Sequence, residues 1–130
     1  MTYLRDGDAF TLAFGGAPEP GLVAVGWLDA GKPFARGDVP RERVDRLRQT
    51  CRNGVNRTRG LYRCPLCPRA DGAALPPPTT VHSDAGDYPV GGAEIRVVGP
   101  SGTRYAAPDM IIHYVEEHGY APPEDFLEGL

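Results

Sequence analysis

Lysine is nearly missing from this chain: Lys32 stands alone among 14 basic residues, and the rest are arginines. With 17 glycines and 14 prolines, that bias fits a GC-rich genome and says nothing about chemistry by itself. Long apolar runs are missing too. None approaches the ~18 residues of a membrane span, and MTYLRDGDAF has no apolar signal core, so a cytoplasmic protein is expected. Cysteine is scarce and odd in number: Cys51, Cys64 and Cys67. Three thiols without a secretion signal argue against a disulfide framework and towards metal or free thiols.

Several catalytic signatures are also lacking. No glycine-rich loop follows a strand as in a P-loop or dinucleotide site, and no G-x-S-x-G elbow occurs. His82-Ser83-Asp84 has the residue types of a triad, but adjacent residues cannot adopt its geometry. Glu116-Glu117 and Glu124-Asp125 read as solvated helix charges.

What is present fits one modest domain. The chain has 130 residues, 41% apolar and 24% charged, an ordinary soluble balance. The abundant Gly and Pro predict short elements with much loop between them. The charge is uneven: residues 41–69 hold nine arginines against Glu42 and Asp45, whereas residues 70–130 hold ten acids against Arg96 and Arg104. The acidic part folding against the basic part explains this most simply. A basic middle can also meet a nucleic acid, although a chain of net charge −3 is a poor general polyanion binder.

FTLAF (10–14) and LVAVGWL (22–28) read as strands, the second buried, with Trp27 in the core. DVPRERVDRLRQTCRNG (38–54) reads as a helix, with Asp38 at its start, Pro40 in the first turn and Asn53-Gly54 at its end. Val44, Leu47 and Cys51 form one narrow apolar stripe on it. Residues 68–92 are rich in Pro, Gly and Ala and predict a long loop. AEIRVV (93–98), GPSG and TRYA (103–106) predict a β-hairpin. PDMIIHYVEEHG (108–119) predicts a second helix with Gly119 as a left-handed cap, and Phe126 and Leu127 anchor the C-terminus.

The chemistry concentrates in RTRGLYRCPLCP (57–68). Cys64-Pro-Leu-Cys67 has the C-x-x-C spacing with which two thiolates grip a tetrahedral zinc. Redox pairs share that spacing but sit at a helix N-terminus. Here Pro68 and a Gly/Ala/Pro stretch follow, which weakens that alternative. Cys51, separated from Cys64 by twelve residues, is a third candidate ligand, with a plain alternative as a small buried hydrophobe. The fourth ligand must come from His113, His118 or His82, taken in that order: His113 lies at the edge of the apolar helix face, His118 within it, and His82 in the loop. A Cys3His site would be closed and structural. Arg57, Arg59 and Arg63 beside Tyr62 could contact phosphates and stack on a base, but surface arginines without a ligand are the commoner case.

AEIRVVGPSGTRYAAPDMIIHYVEEHGYAPPEDF and RTRGLYRCPLC resemble a group of short, uncharacterised bacterial proteins. Those share an E-I-R-V strand, Y-A-A-P, an I-x-H-Y-V-x-x-H-x-Y helix, P-P-x-x-F and an R-G-aromatic-H-x-C-x-x-C element. The resemblance draws Cys64, Cys67 and His113 into one constellation, with His118 as a further candidate. It departs at Tyr62, where the pattern carries histidine, and Cys51 is the residue able to compensate. It implies an architecture and no activity.

The expectation is therefore a small single α+β domain over residues 1–130, with short antiparallel strands, a β-hairpin and two main helices around a zinc knuckle. Structural Zn2+ would be held by Cys51, Cys64, Cys67 and His113. Such a protein would not be an enzyme. It would act on another protein as an accessory or immunity-type regulatory factor. A nucleic-acid-binding zinc protein and a C-x-x-C thiol oxidoreductase are the alternatives.

Overall fold

The computed structural model describes residues 3–10, 20–68 and 76–130. Its core is a three-stranded sheet in the order β1 (Leu22–Ala24), β5 (Arg104–Pro108), β4 (Glu94–Val98). β4 and β5 form the antiparallel hairpin expected from their alternation, and β1 joins β5 in parallel. The buried run 22–28 is regular strand only over its first three residues, because Gly26 takes φ +78 and turns the chain. Trp27 is nonetheless buried, and its indole N–H donates to the Ala106 carbonyl at 2.9 Å. Of the strand expected at 10–14, only Phe10 belongs to the described residues. It is buried, with its ring centroid 5.2 Å from that of Trp27.

Side chains alternate across the sheet, as the pleat requires. Ile95, Val97, Tyr105 and Ala107 face the main core, whereas Leu22, Ala24 and Ala106 join Phe10 and Trp27 in a smaller cluster. Helix α1 (Arg41–Arg52) buries Leu47 and Cys51, with Val44 packed at the margin. It starts after Pro40 without the side-chain cap expected from Asp38. Helix α2 (Ile111–His118) ends at Gly119, which has φ +69. Pro108 and Asp109 precede α2 instead of opening it, with Pro108 closing β5. Arg48 joins the two helices, bonding Asp45 at 2.9 Å and Glu116 at 2.8 Å. Short helix α3 (Glu124–Glu128) buries Phe126 against Tyr105.

The stretch expected to be loop from 68 to 92 contains a second sheet. β2 (Thr79–Val81) and β3 (Tyr88–Val90) pair antiparallel, and Val81 and Val90 enter the main core. Proline composition hid this pairing. Pro89 sits in a two-stranded sheet, where an edge position tolerates its missing N–H.

Candidate metal centre

The C-x-x-C turn is held from both sides. Before it, the Tyr62 N–H donates to the Gly91 carbonyl at 2.8 Å, tying the incoming segment to the end of β3. Within it, Leu66 packs against the core and its N–H donates to the Cys64 sulfur at 3.4 Å. Such N–H···S bonds stabilise a thiolate and orient it. Cys64 is buried and Cys67 is half-buried.

Helix α2 supplies the opposite half. His113 is in its first turn and His118 is its last residue. The Arg36 guanidinium donates to the His118 carbonyl at 3.1 Å, and the Gly37 N–H donates to the Gly119 carbonyl at 3.2 Å, so the helix end is fixed. The two imidazoles converge with Nε2 atoms 3.2 Å apart.

Together these elements bring four donors to one point. Cys64 Sγ lies 3.4 Å from His118 Nε2, and Cys67 Sγ lies 3.2 Å from His113 Nε2 and 3.5 Å from His118 Nε2. All four donor atoms fall within 4.8 Å of one another. A tetrahedron with metal–ligand bonds of about 2.0–2.3 Å has edges of about 3.3–3.8 Å. Four of the six separations, at 3.2–3.5 Å, are close to those edges and the other two stay within 4.8 Å, so the four side chains could hold a metal ion.

Protonation fits the same role in part. Burial, reinforced by the neighbouring His118, lowers the His113 pKa, and burial lowers that of His118. Both rings therefore favour the neutral form that ligates metal. Burial pushes the Cys64 thiol up to about 11, so without a cation it keeps its proton at neutral pH. An ion must displace that proton to bind.

The other candidates lie elsewhere. Cys51 is buried in α1 and belongs to the hydrophobic core. Burial and the nearby Asp109 carboxylate raise its pKa well above the ordinary thiol value, as for an inert core sulfhydryl. α1 packs against α2, and Cys51 is not among the four residues whose donor atoms converge. His82 is exposed and bonds Asp87 through Nδ1 at 2.9 Å. His118, ranked second to His113 in the sequence, joins it in the cluster in place of Cys51. The signal for using both is their H-x4-H spacing, which falls in the x3–5 range of zinc-finger histidine pairs.

With the geometry in view, the comparisons add one match: residues 2–130 correspond to Domain of unknown function (DUF7919). The chain belongs to that family. The resemblance to an uncharacterised family holds, and DUF7919 brings no activity with it. No curated protein and no solved structure matches this DUF7919 chain.

Proposed function

We propose that Cys64, Cys67, His113 and His118 bind one structural Zn2+ ion, and that the domain acts through contact with another protein as an accessory or regulatory factor of the immunity type in the cytoplasm. The convergence of two sulfurs and two imidazole nitrogens within 4.8 Å of one another carries this reading. An S2N2 tetrahedron favours zinc over the hard cations, which prefer oxygen. Four protein ligands leave no position for water, so the ion supports folding and not hydrolysis. Among the described residues, no helix is long and apolar enough to cross a membrane.

The thiol oxidoreductase alternative is disfavoured because the Cys64 thiol is pushed up in pKa, opposite to an activated nucleophile. Nucleic-acid binding loses part of its basic surface to internal bonds. Arg46 bonds Glu42 and the Leu130 carbonyl, Arg48 bonds Asp45 and Glu116, and Arg52 bonds the carbonyls of Ala85 and Gly86.

Native mass spectrometry with metal analysis, before and after chelation, tests the reading. One zinc per chain, with loss of cooperative folding on its removal, supports it. A metal-free chain with unchanged thermal unfolding in the presence of zinc contradicts it.

A further inference from the structure

Tyr62, two residues before Cys64, also lines a separate concavity. Residues 55–62 arch over the segment 91–94, and backbone bonds stitch the two together. Val55 and Glu94 exchange N–H···O bonds of 2.7 and 2.8 Å, and the Thr58 N–H donates to the Gly92 carbonyl at 2.6 Å. Asn56 bends the arch with φ +53, the one positive φ among the described non-glycine residues. The space under the arch has a volume of about 180 Å³, and its wall includes Trp27, Asn56, Thr58, Tyr62, Gly92 and Glu94. An enclosed cavity of about 150 Å³ accepts a benzene ring, so this concavity, open to solvent on one side, has room for one ring of a flat heterocycle with the rest projecting outward.

The wall contains an incompletely used carboxylate. The Glu94 side chain is 5% exposed, and its Oε2 accepts from Asn56 Nδ2 and Arg96 Nη2, each at 2.9 Å. Its Oε1 accepts no hydrogen bond among the described residues. Arg96 already balances the charge, so the vacant acceptor calls for a neutral N–H donor and not a second cation. Glu94 lines the cavity, and a carboxylate oxygen that no protein group occupies can accept from an entering N–H group, while two aromatic residues in the same wall favour a planar ring as its carrier. Arg59 and Arg63 are the chain neighbours of the lining residues Gly60 and Tyr62.

We propose that this cavity binds a guanine-type base, its adjacent ring and exocyclic N–H groups donating to Glu94 Oε1, between walls that include Trp27 and Tyr62. The base arrives as a nucleoside or a nucleotide, and in the latter Arg59 and Arg63 are available to the phosphate. This site is independent of the zinc reading.

Trp27 is the only tryptophan in the chain, so its fluorescence reports occupancy. The full protein, purified with whatever metal it carries, is titrated with guanosine, guanosine monophosphate and inosine. Saturable change with the two guanine compounds is expected, with inosine, which lacks the exocyclic amino group, at least about tenfold weaker. Glu94→Gln and, as a second variant sparing the Arg96 ion pair, Tyr62→Leu should each weaken guanosine binding about tenfold or more. Their circular dichroism and metal content should match the parent protein. Tighter binding of the monophosphate identifies a nucleotide site, and equal binding a nucleoside site; either supports the proposal. No saturable change at millimolar concentration, or equal affinity for guanosine and inosine, overturns it.

Discussion

His113 and His118 present their Nε2 atoms to each other at 3.2 Å although five positions separate them on α2. An Nε2–H···Nε2 bond would account for that pair alone, but not for two sulfurs at 3.2–3.5 Å from the same nitrogens. A cation shared between them accounts for both, with Cys64 and Cys67 completing its shell. The following outcomes are expected from that relationship and from the packing around it.

Substituting any of Cys64, Cys67, His113 or His118 by alanine should abolish stoichiometric zinc retention through gel filtration. Cys51→Ala should retain one zinc per chain and lose about 1–2 kcal/mol of stability, the cost of a small core deletion. Metal analysis combined with denaturant unfolding separates the two classes. Zinc loss in Cys51→Ala would return that thiol to the ligand set.

Zinc affinity should rise with pH. Because the Cys64 thiol stands at about 11 without metal, binding at neutral pH expels its proton. That alone gives about tenfold tighter binding per pH unit, up to about a hundredfold if both thiols release protons. The lowered pKa values of His113 and His118 keep them neutral at pH 7, so they add slope only in the acid range. Competition titrations at pH 6, 7 and 8 measure the slope, and a flat profile contradicts thiolate ligation.

Gly91 controls the approach to the knuckle. It has φ +115, and a Cβ there would overlap the Tyr62 carbonyl oxygen. Gly91→Ala should therefore cost about 2–4 kcal/mol. Because Tyr62 leads directly into Cys64, zinc binding should weaken as well. Unfolding curves with and without zinc test both effects, and a neutral substitution would contradict the packing described.

Asp125 pins the hairpin turn from α3. It accepts from the Ser101 hydroxyl at 2.7 Å, the Ser101 N–H at 3.1 Å and the Tyr105 hydroxyl at 2.7 Å. The Ser101 and Tyr105 hydroxyl bonds hold its pKa below the ordinary carboxylate value. A depressed folded pKa means stabilisation that is present above the unfolded value and lost as pH falls through the folded one. Asp125→Asn should lower the melting temperature at pH 7, and the gap should close in strong acid. A gap independent of pH would contradict this.

The sequence made the local patterns legible and left the long-range ones obscure. The Leu47–Cys51 stripe, the β4–β5 hairpin and the Gly119 cap rest on periodicity and turn chemistry within a few residues. The β2–β3 pair was hidden because Pro89 and the surrounding prolines and glycines mimic loop composition, while pairing and core contact come from partners distant in sequence. The same distinction governs the site. The C-x-x-C turn is a local signal, but its histidine partners join it only when α2 folds back past 45 intervening residues. Cys51 attracted attention by its position in sequence, whereas helical phase directs it into the core.

X-ray absorption at the zinc edge of the metal-loaded protein tests the central claim most directly, because it counts sulfur and nitrogen neighbours. The account predicts two sulfurs at about 2.3 Å and two nitrogens at about 2.0–2.1 Å. A shell of three sulfurs and one nitrogen, or one completed by water oxygen, would contradict it.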